Sequence, residues 1–197
     1  MEPCLTARRG RRLCCALLLL AVLAPPDLTF GAKPPVIEEV PREEFEVFGY
    51  KSADLFPVTN SSLLSWAFLI FFPHWRHLKP VVLLAPIVNA IAYTIVVLYV
   101  FSHPNAQSDE ANMKSLEGIT AMFSNQDGVF AGWLHYCVFD PLVGLGEVLD
   151  SQQVGVPHLF VVPCLLMTMF LGPAGFLLYL AIRWLAIYVK DDGFSVQ

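Results

Sequence analysis

The apolar run from 80 to 101, PVVLLAPIVNAIAYTIVVLYVF, limits the possible folds of this chain more than any other feature. It contains no charged residue. A helix rises about 1.5 Å per residue, so the run is long enough to cross the hydrocarbon core of a bilayer, which is about 30 Å thick. The run therefore predicts a membrane-spanning helix, and Pro86 predicts a kink within it.

The composition supports a polytopic membrane protein. Hydrophobic residues make up 56% of the 197 residues and charged residues only 15%, whereas a soluble domain has about half and about a quarter. The net charge of −5 is uneven, because arginines cluster in the first dozen residues and five glutamates lie between 38 and 46. No basic face for nucleic acid is present, so no nucleic-acid partner is predicted.

Three more apolar stretches extend the membrane domain, which we predict at 57–190. The first is short, at about 58–73, and the third lies at about 128–149. The fourth, 156–189, is too long for one straight crossing, and GPAG at 172–175 divides it. It forms either one crossing followed by a kinked amphipathic helix in the interface, or two shorter helices. We favour the first arrangement, because interfacial anchors are expected at Arg183, Trp184, Tyr188 and Lys190. The predicted fold class is all-α, with about four transmembrane helices, the last followed by a kinked interfacial helix.

The remaining segments are predicted to flank this domain. Residues 1–30 have the layout of a targeting or signal peptide, although no A-x-A cleavage site follows, which leaves a retained signal anchor as the alternative. Residues 31–56 are acidic and contain prolines, as in a flexible arm, and 191–197 form a polar tail. The basic turn at 74–79 is expected on the cytosolic side or its topological equivalent, such as the stroma.

The third span is the most polar of the apolar stretches. It carries His135, Asp140 and Glu147, and an ionisable group inside a membrane helix is costly to desolvate, so it indicates a functional site. A spacing of seven residues places Trp133 and the two carboxylates on one helix face. Gly144 lies between the carboxylates on that face and leaves room for a ligand or for a closely packed helix.

Two features leave the geometry of this site open. In a straight helix His135 is turned about 140° away from Asp140. Pro141 either kinks the helix, which can swing His135 toward the carboxylates, or breaks it so that Asp140 caps a new helix. Asn89 and Tyr93, one turn apart in the second span, either bridge helices, which we favour, or donate hydrogen bonds to the polar end of a lipid-like ligand.

The sequence predicts neither a disulfide framework nor a metal centre. Cys137 and Cys164 lie within apolar stretches without a repeated spacing. His74 and His77 have a chelating spacing but no third ligand nearby. A set of carboxylates with one imidazole suits iron or manganese, but the spacing here is generic. That set consists of Asp140, Glu147, Asp150 and His158. The alternative for the polar cluster as a whole is a set of hydrogen bonds between helices.

A family resemblance extends these observations. The motif G-W-x-H-x-x-x-x-D runs from Gly132 to Asp140, and the G-P-x-G motif follows at 172–175. Over about 58–182 the chain resembles the abscisic-acid-deficient-four-like family of small integral membrane proteins, associated with neoxanthin synthesis. It departs from the family pattern at Pro141 and Leu145. Further residues that carry the resemblance are Gly144, Asp150, Ser151, His158, Pro163, Cys164, Leu165 and Tyr179.

The resemblance implies a plastid (chloroplast) membrane, envelope or thylakoid, and a role in converting violaxanthin to neoxanthin or a related allenic xanthophyll. The apolar run followed by Phe30 also resembles the bipartite presequences of algae whose plastids lie inside the secretory system. Opening an epoxide to an allene is an isomerisation, so no redox cofactor is required. Asp140 or Glu147 would be the acid, because desolvation favours a neutral carboxyl group, and His135 or the other carboxylate would be the base.

The expected partners are a carotenoid substrate lying along the helices, membrane lipid and other enzymes of the carotenoid pathway. The predicted substrate-binding residues are Trp133, Gly144, Asn89 and Tyr93. The competing interpretation is a noncatalytic membrane scaffold or carotenoid carrier that presents substrate to a separate enzyme. It stays open because the sequence contains no nucleotide, flavin or nucleophile motif.

Overall fold

The computed structural model describes residues 44–103, 106 and 108–193. The predicted targeting peptide and the first half of the predicted arm lie outside the described residues, as do the last four residues of the chain. The described part is helical apart from one small strand pair, so the predicted all-α class is confirmed. Its elements are β1 Glu46–Val47, β2 Tyr50–Lys51, α1 Ser52–Leu55, a 3₁₀ segment Phe56–Asn60, α2 Ser61–Phe71, α3 Leu78–Ser102, α4 Leu116–Met122, α5 Gln126–Val154, α6 His158–Leu171 and α7 Pro173–Gly193.

The end of the predicted arm forms an antiparallel hairpin, β1–β2. Its turn contains Gly49, whose φ of 79° is in the region that favours glycine. Lys51 donates a hydrogen bond to Glu44 Oε2 at 2.7 Å, which lowers the pKa of this exposed carboxyl group. The hairpin is joined to α5 through the buried Asp127, which accepts hydrogen bonds from the Phe45 amide at 2.8 Å and the Ser52 hydroxyl at 2.6 Å.

The first predicted span is a continuous helical path from 52 to 71. Phe56 and Ser61, at the two junctions of the 3₁₀ segment, both have right-handed helical torsions. An α-helix rises about 1.5 Å per residue and a 3₁₀ helix about 2.0 Å, so α1, the 3₁₀ segment and α2 together extend about 32 Å. That length matches the core of a bilayer, although α2 alone, with 11 residues, covers only half of it.

α3 and α5 run antiparallel and form the most extensive helix contact of the described structure. Tyr93 of α3 lies against His135 of α5. One turn further back in α3, Asn89 contacts Ser62, which donates a hydrogen bond to the Cys137 carbonyl of α5 at 3.1 Å. α3 continues through its internal proline, and α5 continues through Pro141 as one helix of 29 residues. The break at Asp140 that the sequence left open therefore does not occur.

The fourth apolar stretch forms two helices, the second of the two predicted arrangements. α6 ends at Gly172, which has a φ of 47°, and Pro173 begins α7 at a position where a proline is well tolerated. α7 folds back along α6, since Lys190 near its end donates a hydrogen bond to the Val154 carbonyl beside the start of α6. Gly175 permits this close contact, because a side chain there would collide with the backbone of Thr168.

Three described helices are long and apolar enough to cross a membrane, namely Leu78–Ser102, Gln126–Val154 and Pro173–Lys190. The sequence predicted about four. The difference arises because the 3₁₀ segment shortens the first α-helix and Gly172 leaves α6 with only 14 residues. With 14 residues, α6 is too short for its length alone to indicate a membrane-spanning helix.

Charged groups divide between the two ends of this helix bundle. At the basic end, the turn at 74–79 lies near the end of α5, where Gln152 donates a hydrogen bond to the Pro73 carbonyl at 2.7 Å. Lys190 lies at the same end, beside Val154. The opposite, acidic end consists of the β1–β2 hairpin and the segment around α4. Acidic residues there outnumber Lys51 and Lys114, and they include Glu44, Glu46, Asp54, Asp109, Glu110 and Glu117.

Candidate functional site

His135 lies on the side of α5 that faces α3. Its ring is 5.9 Å from that of Tyr93 and 4.6 Å from that of Phe139, measured between centroids, and the side chain is exposed. α5 is not broken at Pro141. Within the described ranges, no hydrogen bond or ion pair joins His135 to either predicted catalytic carboxylate. His135 is near enough to Asp140 for their charges to interact, but no hydrogen bond joins the predicted base to either predicted acid in the described residues.

The two carboxylates of α5 lie toward α6 and α7. Asp140 is half-buried beside the turn between these helices, with Oδ1 3.6 Å from the place that a Cβ on Gly172 would occupy. Glu147 is 2% exposed, and its Oε1 accepts a hydrogen bond from Thr168 of α6 at 2.9 Å. Among the residues the structure describes, Oε2 of Glu147 has no hydrogen-bond partner. Seven residues of helix separate the two carboxylates by about 10 Å along the axis.

A cavity of about 280 Å³ lies beside Glu147, between α5 and α7. Binding pockets usually measure about 300–1,000 Å³, so this volume suits a small ligand or one end of a long one. Phe176 and Leu180 in its wall are 42% and 40% exposed, which shows that the cavity opens on the outer surface of the bundle. Its lining consists of Val143, Gly146, Glu147, Asp150, Phe176, Tyr179, Leu180 and Arg183.

A network centred on Asp150 forms the polar wall of this cavity. Arg183 Nε is 2.7 Å from Asp150 Oδ2, and its Nη2 is 3.3 Å from Oδ1. The Tyr179 hydroxyl donates a hydrogen bond to the same Oδ2. Tyr179 and Arg183 are one turn apart on α7, so both reach the same carboxylate of α5. Arg183, which we expected as an interfacial anchor, forms an ion pair with Asp150 between α5 and α7.

Gly144 and Asn89 serve helix packing. Gly144 is buried against α2, where an added Cβ would be 2.8 Å from the Trp66 ring. Of the two alternatives for this glycine, room for a ligand or a closely packed helix, the structure shows the closely packed helix. Asn89 donates hydrogen bonds to Ser61 at 2.9 Å and to Ser62 at 3.2 Å, as in the favoured prediction of a bridge between helices.

Trp133 and Tyr93 lie closer to the acidic end and do not line the cavity at Glu147. The Trp133 ring is half-exposed and stacks on Phe56 at 6.4 Å between centroids. Tyr93 is half-buried against His135. The seven predicted site residues therefore fall into separate groups, and their catalytic and binding roles stay predictions.

Sequence reasoning missed Thr168 and assigned no role at the site to the network of Asp150, Tyr179 and Arg183. The signal for Thr168 was present, since it is the only hydroxyl side chain in α6. The spacing of Tyr179 and Arg183 on α7 was also visible. Their common partner Asp150 lies about 30 residues earlier, and only the turn at Gly172 brings α7 back to it.

The described part of the chain contains no group of three or more histidine, cysteine, aspartate or glutamate side chains that could hold a metal ion. Of the residues in the set that suits iron or manganese, His158 has its Nε2 2.9 Å from the Ile70 carbonyl oxygen, and Asp150 accepts a hydrogen bond from Arg183. Cys137 and Cys164 are both free thiols.

The model of the ABA DEFICIENT 4-like family matches residues 55–179, from the end of α1 into α7. No curated protein and no solved structure matches the chain. The matched range includes Glu147, Asp150, Thr168 and Tyr179 and ends before Arg183. Because the match covers more than half of the 197 residues, this chain belongs to the ABA DEFICIENT 4-like family.

Proposed function

We propose that this protein is a plastid membrane isomerase that converts violaxanthin to neoxanthin or a related allenic xanthophyll. Membership of the ABA DEFICIENT 4-like family supports a carotenoid-related role. The observation that carries the isomerase proposal is the placement of Glu147. It is buried in the helix bundle, has one oxygen without a hydrogen-bond partner among the described residues, and lines a cavity that opens on the outer surface.

The proposed reaction moves protons and leaves the composition of the pigment unchanged. An acid gives its proton to the epoxide oxygen, and the bond from that oxygen to the carbon next to the polyene breaks. A base removes the hydrogen from the adjoining polyene carbon, and the electron pair of that bond completes the allene. One proton is given and one is taken, so the product is an isomer with a new hydroxyl group.

Glu147 is the best placed acid among the predicted residues. Thr168 donates its hydroxyl hydrogen to Oε1 at 2.9 Å, which leaves Oε2, a buried oxygen, as the atom that would carry the acid proton. Burial among apolar groups without a countercharge is the environment in which a carboxylic acid serves as a proton donor. Asp140 lies on the same side of α5 about 10 Å away, and His135 lies toward α3, so neither is adjacent to Glu147.

The cavity explains how a long pigment can use this site. About 280 Å³ accommodates one ring of a xanthophyll but not the whole molecule. Val143, Phe176 and Leu180 form an apolar rim that is 37–42% exposed. The proposed pose places the epoxide ring beside Glu147 and the polyene along this rim, in contact with lipid.

One observation favours a second candidate, a noncatalytic scaffold or carotenoid carrier. The predicted catalytic side chains His135, Asp140 and Glu147 make no hydrogen bond with one another in the described structure. A carrier needs only the cavity and its apolar rim, whereas an isomerase needs an acid and a base that act on the same ring.

The test is expression in a host that accumulates violaxanthin and contains no allenic carotenoid, followed by liquid chromatography of the pigments. We expect the wild-type chain to produce an allenic xanthophyll. Glu147→Gln keeps the shape of the side chain and removes the acid, so we expect at least a 100-fold loss of product, the scale of general acid catalysis. Glu117→Gln, in the exposed helix α4, is the matched control and should behave as wild type.

Asp140→Asn in the same host tests the other carboxylate. Loss of product with pigment still bound would assign it a catalytic role. The isomerase proposal is wrong if the folded wild-type chain co-purifies with violaxanthin and no allenic pigment forms. That result would leave the carrier as the function.

A further inference from the structure

We propose that Tyr179, with Asp150 as its proton acceptor, is the base that removes the polyene hydrogen in this cavity. This inference rests on the proposed isomerisation. It names the partner of Glu147 that none of the predicted site residues supplies, and it places both halves of the reaction in one cavity.

The position of Tyr179 fits this role. Its side chain is 2% exposed and lines the same cavity as Glu147. Its hydroxyl donates to Asp150, so the hydrogen of the phenol is engaged with that carboxylate. The lone pairs of the phenolic oxygen are then available to accept a hydrogen from a ligand in the cavity.

Arg183 restricts which proton in this network can move. Two of its nitrogens contact the Asp150 carboxylate, at 2.7 and 3.3 Å, and guanidinium groups only donate hydrogen bonds and do not lose their protons in proteins. Arg183 therefore fixes the carboxylate and its negative charge without exchanging a proton with it. The hydrogen that can pass to Asp150 is the one on Tyr179.

The acid and the base are close enough to act on one ring. Glu147 and Asp150 are three residues apart on α5, where side chains are neighbours at about 5–6 Å between Cβ atoms. Asp140 is about 10 Å away along the axis. Glu147 and Tyr179 both line a cavity of about 280 Å³, so a bound epoxide ring would contact both.

The protons balance over one turnover. Glu147 protonates the epoxide oxygen, and the carbon–oxygen bond breaks. The polyene hydrogen passes as a proton to the Tyr179 oxygen while the phenol passes its own proton to Asp150. The proton on Asp150 then returns to Glu147 across one helix turn, which restores both carboxyl groups, and no oxidant or other reactant is consumed.

Tyr179→Phe is the direct test, because it removes one oxygen and keeps the ring that packs between the helices. In the violaxanthin-accumulating host we expect at least a 100-fold loss of allenic product while violaxanthin still co-purifies with the protein. Tyr188→Phe is the matched control on the same helix. Its ring is half-exposed, stacks on Trp184 at 5.6 Å and is not part of the cavity wall, so activity should be unchanged.

A second measurement separates proton removal from a packing effect. A fluorinated tyrosine placed at position 179 keeps the hydroxyl and weakens it as a base. We expect slower conversion and a larger isotope effect when the polyene hydrogen is replaced by deuterium, whereas a structural role would leave the isotope effect unchanged.

The outcomes separate this inference from the function on which it rests. Normal conversion by Tyr179→Phe, or an unchanged isotope effect with the fluorinated residue, overturns the role of Tyr179 and leaves the isomerase intact. A wild-type chain that forms no allenic product overturns both.

Discussion

At the scale of single residues, two glycines of α5 have opposite environments although they are only two positions apart. Gly144 is buried, and an added Cβ would lie 2.8 Å from the Trp66 ring and 3.2 Å from Leu69. Gly146 is exposed, lines the cavity, and has nothing within 4 Å of the place that a Cβ would occupy. The first glycine is needed for packing and the second leaves the cavity open.

This contrast predicts opposite effects of the same substitution. Gly144→Ala should lower the free energy of unfolding by about 1–3 kcal/mol, because it overpacks the contact with α2. Gly146→Ala should raise it by about 0.5–1 kcal/mol, because alanine restricts the unfolded chain and clashes with nothing. Unfolding of the two purified variants in the same detergent measures both, and a shift in the same direction for both would contradict the packing described here.

The sequence identified some of these residues and not others for a physical reason. Glu147 was evident as an ionisable group inside an apolar stretch, a local property. Arg183 was assigned to the membrane interface because it lies near the end of an apolar run. Its ion pair with Asp150 depends on the direction in which α7 leaves Gly172, which no neighbouring residue reveals.

At the scale of the elements, α3 and α5 were predictable and the helices around them were not. The apolar stretch at 80–101 agrees within two residues with α3, Leu78–Ser102. The stretch at 128–149 agrees less closely with α5, because that helix is longer and runs from Gln126 to Val154. The number of helices in the fourth stretch was ambiguous, because hydropathy does not reveal the contact that packs its two helices against each other. That contact is the close approach of Gly175 to Thr168.

Gly175→Ala tests this contact. The added methyl group would collide with the Thr168 backbone, so α6 and α7 must separate. Since Thr168 also donates to Glu147, we expect a loss of about 1–3 kcal/mol in the free energy of unfolding together with reduced conversion of violaxanthin. The neighbouring exposed residue provides the control, Ala174→Ser, and equal stability of the two variants would show that the α6–α7 contact is not tight.

At the scale of the whole molecule, the separation of charge between the two ends predicts an orientation. Positively charged loops near the ends of membrane helices remain preferentially on the cytosolic side or its equivalent. We therefore expect the basic end, with the turn at 74–79 and Lys190, on that side. The hairpin and α4 would lie on the other.

The orientation can be measured with single cysteines in sealed vesicles. In a chain that lacks its other cysteines, Lys79→Cys and Glu117→Cys place one thiol at the basic end and one in α4, both at exposed positions. In vesicles sealed with the cytosolic face outward, a membrane-impermeant maleimide should label the thiol at position 79 before detergent is added and the thiol at position 117 only afterwards. Labelling of both before detergent would mean that the two ends lie on the same side.

The central claim is that this single chain both holds an epoxycarotenoid and isomerises it. The most direct measurement is to incubate the purified protein in lipid nanodiscs with violaxanthin and no other protein, and to separate the pigments by liquid chromatography with mass detection. We predict an allenic product of unchanged mass. Violaxanthin recovered unaltered from a protein that binds it would contradict the claim and identify the chain as a carrier.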